Sequence, residues 1–356
     1  KRSINSINIY KGGKSSIDSN KKIIKLSSNE NPYGPSPKIN EILQSKDFLT
    51  KLHRYPEIDG SSLRQAISKY HSIDPDRIIL GSGSDEILLF AALAFCQDGD
   101  EILHANHGFE MYSIVSKIVG AVPKKIIEDS NFNIKTDSLV DQISDATKVI
   151  YIASPNNPTG TYLTRDQILD LMYKIPKNII VVIDGAYVEY VEDINYDKGF
   201  SLLNEFDNLI LTRTFSKTYG LAALRIGWCY TSEKVANIIN KIKPPFNTTA
   251  ISQSIAIKAL EDKEYIDDIV KLNLDIKIWF ESQLKLLNIK VRSTEGNFSL
   301  IESSNETIDK IYNHLINDGI ITRRLNSYDL SNFLRISIGT KEEMEETIKS
   351  LQSFNE

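Results

Sequence analysis

Two runs of mostly β-branched residues constrain the fold of this chain more than any other feature: Val149-Ile150-Tyr151-Ile152-Ala153 and Ile179-Ile180-Val181-Val182-Ile183. Neither alternates with polar residues. A strand with one wet face would alternate, so both read as strands covered on two faces, as in a mostly parallel sheet with helices on either side. Shorter runs extend the series at Arg77 to Leu80, Glu101 to His104, Pro123 to Ile127, Leu209 to Thr212 and Ile226 to Tyr230. Between them, helical spacing appears over Ser84 to Phe95, through Ile87, Leu88, Ala91, Ala92 and Phe95, and again over Met111 to Val119. Alternation of this kind predicts an α/β layered domain.

The texture changes from about Ile238. Asn247-Thr248-Thr249 is suited to cap a helix from Ala250 to Leu260, and a long helical pattern runs from Glu264 toward Leu287. Shorter elements follow: Lys290-Val291, Phe298 to Ile301, a helix from Thr307 to Asp318 closed by Gly319, a strand from Leu334 to Ile338, and a last helix from Lys341 to Phe354. This part reads as a smaller α+β domain, and 356 residues suit two domains. The first 25 residues hold seven Lys/Arg against one acid, Asp18. A transit peptide would be amphipathic and Arg-rich, whereas this stretch has one arginine and a helix-breaking Gly12-Gly13, so it reads as an extended arm. A net charge of −5 gives no electrostatic support for a nucleic-acid partner. No apolar run reaches the ~20 residues of a membrane span. Cys96 and Cys229 are far apart in sequence and form no disulfide framework, which fits a reducing cytoplasm.

Chemistry is signalled where the apolar runs end. Lys217 lies in Thr212-Arg213-Thr214-Phe215-Ser216-Lys217-Thr218-Tyr219-Gly220, after one run, and Arg225 precedes another. A lysine here is either a solvated surface residue or a desolvated nucleophile with Ser216 and Arg225 as phosphate ligands. Gly81-Ser82-Gly83-Ser84-Asp85-Glu86 opens a helix after a strand and suits a phosphate. Glu86 replaces the third glycine of a dinucleotide fingerprint, while Glu101 stands near the distance of its ribose-binding acid. Ser154-Pro155-Asn156-Asn157-Pro158-Thr159-Gly160 is either a rigid turn alone or a device that projects Asn157 from a strand's carboxyl end. Asp184 either caps a helix or pairs with a cationic ring nitrogen. Arg335, inside an apolar run, needs an anion, structural or bound. His104 and His107 have no further ligand at metal spacing, so no metal is expected.

In this order, the segments resemble the fold-type I pyridoxal 5'-phosphate (PLP) enzymes of the aspartate aminotransferase superfamily, from about Ile9 to Phe354. Within it they are similar to the histidinol-phosphate aminotransferases, through Leu26-Ser27-Ser28-Asn29-Glu30-Asn31-Pro32-Tyr33-Gly34-Pro35-Ser36-Pro37, His53-Arg54-Tyr55-Pro56, His107-Gly108-Phe109-Glu110-Met111-Tyr112, Gly319-Ile320-Ile321-Thr322-Arg323 and Leu334-Arg335-Ile336-Ser337-Ile338-Gly339-Thr340. The resemblance implies an arm and part of the small domain over 1–45, a large PLP-binding domain over 46–260, and a linking helix with the small domain over 261–356. Lys217 would hold the cofactor aldehyde covalently. Ser216, Arg225 and the backbone at Ser84 and Asp85 would bind its phosphate, joined by Tyr55 from the other subunit of a homodimer. Phe109 would stack on the ring, Asn157 and Tyr187 would bind its phenolic oxygen, and Asp184 would pair with its nitrogen. Tyr10, Asn29, Asn157, Arg323 and Arg335 would form the substrate pocket, though Arg324 beside Arg323 leaves open which of the two faces it. The implied reaction is transamination of L-histidinol phosphate with 2-oxoglutarate. An aromatic amino acid aminotransferase, a threonine-phosphate decarboxylase and a non-catalytic PLP-binding homologue are the alternatives.

Overall fold

The computed structural model of the chain describes residues 2–10, 12–17, 21–45 and 50–355. Asp18 and Lys11 of the arm, and the domain boundary expected after residue 45, fall on or against residues outside that set. The apolar runs form a seven-stranded sheet. In chain order its strands are β2 (Ile78–Gly81), β3 (Glu101–Ala105), β4 (Val122–Ile126), β5 (Thr147–Ala153), β6 (Ile180–Asp184), β7 (Leu209–Thr214) and β8 (Gly227–Thr231); the two-residue β1 (Ile24–Lys25) lies elsewhere. The spatial order is β2-β8-β7-β6-β5-β3-β4. Strands β7, β6, β5, β3 and β4 are parallel, and β8 runs against both of its neighbours, β7 and β2.

The two-sided burial read from the runs is visible residue by residue. Along β6, Val181 and Ile183 join one apolar cluster, and Ile180 and Val182 join another on the opposite face. The first cluster includes Leu63 and Ile67, Leu171 and Met172, and Ala256 and Ala259, from helices Ser61–His71, Arg165–Lys174 and Ala250–Leu260. The second includes Ile87 and Leu88, Val115 and Val119, and Val235 and Ile239, from helices Ser84–Phe95, Met111–Val119 and Glu233–Ile242. Each fully buried Leu, Ile, Val or Met among them contributes about 1.5–3 kcal/mol. With both faces closed, only the sheet's edges are open to ligands. The carboxyl ends of β3, β5, β6 and β7 share one edge with the end of β2, because two successive reversals through β8 return β2 to the direction of β7.

The smaller sheet has the order β12-β13-β10-β9, all antiparallel, from β9 (Val291–Arg292), β10 (Phe298–Glu302), β12 (Arg323–Arg324) and β13 (Phe333–Ser337). Separately, β1 pairs in parallel with β11 (Ile320–Ile321). Helix Lys263–Leu286 bridges the units: Ile266 packs into the first cluster, whereas Ile276, Phe280 and Leu284 pack with Ile24, Leu315 and Leu334. The arm departs from the extended reading over Arg2–Ser6, which forms a turn of 3-10 helix. Beyond it, residues 7–10 carry no helix or strand.

Gly227 marks where the sheet meets the helix that starts the site. It lies opposite Gly81 and Thr214 in the sheet. A Cβ there would stand 2.5 Å from the Ser84 nitrogen, 2.7 Å from the Gly83 carbonyl carbon and 3.0 Å from the Arg213 oxygen, all backbone atoms that cannot yield separately. Gly227→Ala is expected to lower stability by about 1–3 kcal/mol in chemical denaturation. An unchanged midpoint would mean that the helix start can shift freely.

Candidate active site

The shared edge opens into a cavity of about 250 Å³ whose lining includes Lys217, Asp184, Asn157, Arg225, Arg335 and Tyr187. At one end helix Ser84–Phe95 begins after Gly83, which has φ 82° and offers no side-chain cap. The first N–H groups of the helix therefore stay available to a ligand. The φ of Gly83 lies where a side chain is strained, and a Cβ there would also push Nη2 of Arg225, 2.4 Å away, aside. Arg225 itself adopts φ 49°, the left-handed region. Its Nη1 donates to Ser216 Oγ at 3.3 Å and to the Ala222 carbonyl at 3.1 Å, and its Nη2 pairs with Asp85 at 3.2 Å. Both members of that ion pair are about half exposed, so it holds Arg225 weakly, by less than about 1 kcal/mol. Glu86, which spoils the dinucleotide fingerprint, fastens the turn instead: its Oε2 accepts from the Ser82 N–H and from Asn247 Nδ2, each at 2.7 Å.

Asp184 ends β6 and is buried. No helix starts at it, which removes the capping alternative; the next 3-10 turn is Val188–Tyr190, with Tyr187 at its cap position. The carboxylate accepts from Tyr112 Oη at 2.9 Å and from Thr212 Oγ1 at 2.8 Å. Burial pushes the Asp184 carboxyl above the usual carboxylate range, and these two hydroxyls pull it back. Lys217 lies beyond β7 on a loop closed by Gly220, φ 68°, whose missing Cβ would meet the Gly34 backbone at 2.5 Å. The ammonium is half-buried, donates to the Ser28 carbonyl at 3.1 Å and stands 5.6 Å from the Tyr187 ring centre. It is a lysine of the cavity wall, not of the outer surface.

The smaller sheet supplies the opposite wall. Arg335 is buried; its Nη1 donates to Asn157 Oδ1, its Nη2 donates to the Ser27 carbonyl at 2.9 Å, and its Nε is buried without a partner. Burial foremost holds this guanidinium below its ordinary pKa. Arg323 lies directly opposite Arg335 across β12 and β13, so both project from one face, and Arg323 lines the cavity. Arg324, on the alternate face, pairs with Asp309 at 2.9 Å and does not line it. Asn29 donates to Tyr187 Oη at 3.0 Å and accepts from Ser337 Oγ at 2.8 Å. Tyr10 meets Phe109 edge-on, with ring centres 6.3 Å apart. Tyr55 is brought to no part of this cavity: it is 82% exposed and stacks on Phe246 with centres 4.5 Å apart.

Tyr112, Thr212 and Tyr328 also belong to this region and had no assigned role in the sequence. Tyr112 and Thr212 clamp Asp184, and Tyr328 is a buried wall residue. His107 contacts Glu128 rather than a metal set, and among the described residues no group of three His, Cys, Asp or Glu side chains could hold a metal ion.

The sequence model of the family described as aminotransferase class I and II matches residues 21–351. The chain belongs to that family. It is 40% identical over 353 residues to the histidinol-phosphate aminotransferase of Pelagibacter ubique, covering 97% of both chains. To that of Ruegeria pomeroyi it is 36% identical over 351 residues, covering 98% of this chain and 96% of the relative. A crystal structure of histidinol-phosphate aminotransferase from Sinorhizobium meliloti, in complex with pyridoxal-5'-phosphate, superposes with a TM-score of 0.87 at 22% identity, over 94% of this chain and 91% of that one. That likeness shows the fold of this aminotransferase to be theirs. The cavity fits such a cofactor on its own terms. An uncapped helix start beside Arg225 and Ser216 suits a phosphate, and a buried carboxylate whose direct donors are two neutral hydroxyls suits a protonated ring nitrogen.

Because burial penalises the ionised Asp184, the folded protein carries that penalty at neutral pH. Cofactor-free Asp184→Asn is expected to denature at a higher midpoint than the parent at pH 7. The gap should close as pH falls through the raised carboxyl pKa, where Asp184 is itself neutral. Equal midpoints at pH 7 would show that the two hydroxyls fully offset the burial.

Proposed function

We propose that this aminotransferase moves the amino group of L-histidinol phosphate to 2-oxoglutarate, giving imidazole acetol phosphate and glutamate in histidine biosynthesis, with pyridoxal phosphate as cofactor. The observation that carries the reading is the pairing of Arg323 and Arg335 on one face, opposite Lys217 and Asp184 in a single cavity. Two guanidinium groups match a phosphate monoester in one half-reaction and a dicarboxylate in the other. The curated relatives that share the name over nearly their whole length support it.

Bound there, pyridoxal phosphate supplies an aldehyde to take up the amino group and a ring that draws electrons from Cα. The residues do the rest. Arg225, Ser216 and the N–H groups at Ser84 and Asp85 hold the phosphate. Phe109 would cover one face of the ring, and Asn157 and Tyr187 would bind the phenolic oxygen. Asp184 keeps a proton on the ring nitrogen. Lys217 would anchor the aldehyde, and its free amine would take the proton from Cα of the substrate and return one. Arg335 and Arg323 orient the substrate's anionic group, with Tyr10 and Asn29 beside them. The Nη1 bond from Arg335 to Asn157 couples substrate capture to the residue that steadies the cofactor.

We further infer that the protein works in the cytoplasm as a homodimer, with the exposed Tyr55 completing a neighbour's phosphate site, and that it divides as arm (1–45), large domain (46–260) and small domain (261–356). The two free cysteines, their thiols pushed up to about 12 chiefly by burial, suit a reducing compartment.

A half-reaction screen with histidinol phosphate, phenylalanine, tyrosine and threonine phosphate should show histidinol phosphate converted fastest. Faster conversion of phenylalanine, or carbon dioxide released from threonine phosphate, would replace this reading. Lys217→Ala should lower turnover by at least about a thousandfold. If each site draws on two chains, mixing inactive Tyr55→Ala and Lys217→Ala proteins should restore roughly a quarter of the sites, as statistics of random dimers require.

A further inference from the structure

The aromatic wall of the cavity at Arg335 has a second side. Tyr10, Phe109, Tyr328 and Arg323 also line a second cavity of about 810 Å³, beneath arm residues 7–10. On its wall stands Glu110, the cap residue of helix Met111–Val119 and the neighbour of Phe109 in the chain. Its Oε1 is buried and accepts no hydrogen bond. Burial foremost, with Glu110 among the further causes, holds the phenols of Tyr10 and Tyr328 above their usual range, so the carboxylate lies within electrostatic reach of both rings. A carboxylate oxygen removed from water without a partner is costly and persists where something else benefits.

A second acceptor lies in the same wall. His104 Nδ1 is 2.8 Å from the Ala105 carbonyl. A carbonyl only accepts, so Nδ1 carries the proton and Nε2 is left as an acceptor; it is buried and has no partner. Burial holds the ring's pKa down to about 4, so it stays neutral. Two unmatched acceptors on residues that line one cavity with Tyr10, Phe109 and Tyr328 suit a flat ring that donates N–H.

We propose that Glu110 is a specificity residue that accepts an N–H of the substrate's imidazole, in the cavity beyond Tyr10 and Phe109. The proposal rests on the histidinol-phosphate reading above. It separates imidazole from phenyl substrates by an asymmetric rule: a site built to accept a hydrogen bond rejects the analogue that lacks the donor, because its own polar group is then left dry and unpaired. The arginines bind the anionic group of either substrate class and make no such distinction.

Two measurements test this. In the first, Glu110→Gln should lower the ratio of kcat/KM for histidinol phosphate to kcat/KM for L-phenylalanine by roughly ten- to a hundredfold, the worth of a charge-assisted hydrogen bond. An equal loss for both substrates would mark Glu110 as merely structural and overturn the proposal, as would no change. The second needs no variant: the parent enzyme should bind L-histidinol phosphate at least about tenfold more tightly than L-phenylalaninol phosphate, which keeps the phosphate and replaces the imidazole. Equal affinities overturn the proposal but leave the function standing if both esters are transaminated. Conversion of neither ester would bring down the functional reading, and this one with it.

Discussion

The carboxylate of Asp184 is withdrawn from water between β6 and β7, and much of the site follows from what keeps it usable there. Burial alone would favour the neutral acid, which could not hold a proton on a ring nitrogen. Thr212, its register partner in β7, and Tyr112, from the helix above, each give it a hydroxyl proton, and Arg213 lowers it further from beyond direct contact. Tyr112 can reach because its ring stacks on Tyr151 of β5, with centres 5.1 Å apart. The charged group is thus supported by strand order and helix placement rather than by solvent. This explains why it sits where a fully buried strand runs out: nowhere else along β6 could a side chain face both the core and the cavity.

Much of this was legible in the sequence, because apolar runs buried on two faces announce their own ends. Asp184 and the turn from Ser154 to Asn157 follow such runs directly, and Lys217 lies six residues beyond Leu211. Helices Ser61–His71, Arg165–Lys174 and Glu233–Ile242 did not show, although their amphipathic patterns are no weaker than that of Ser84–Phe95. Arg165–Lys174 had a readable signature, since Thr164 and Gln167 form a reciprocal capping box, but Ser61–His71 starts from Gly60 with no side-chain cap. Tyr112 drew no role from the sequence, because the partner of its hydroxyl lies 72 residues away. Strand alternation says that Arg323 and Arg324 face opposite ways; only the register of Arg323 with Arg335 says which one shares the cavity.

The electrostatic design runs against the composition. The chain carries a net charge of −5, yet Arg225, Arg323 and Arg335 converge on one cavity with Lys217. Low-dielectric walls strengthen such a cluster and focus it on an anion, so an acidic protein can still gather anionic substrates. Asp85 and Asp184 keep the cavity from being uniformly positive.

The ties between Asn29 and Ser337 join residues 308 positions apart: the Asn29 N–H and amide oxygen both meet the same hydroxyl. Close by, Arg335 reaches the Ser27 carbonyl, and β1 pairs with β11. The seven-stranded sheet, by contrast, is complete by Thr231. On a ribosome the floor of the cavity can therefore assemble while the chain is still growing, but the wall that carries Arg335 cannot exist until Phe333–Ser337 has emerged. Closing so long a loop is slow and entropically unfavourable, which makes completion of the pocket a late event in the life of each new molecule. A chain released early would lack the wall that carries Arg335.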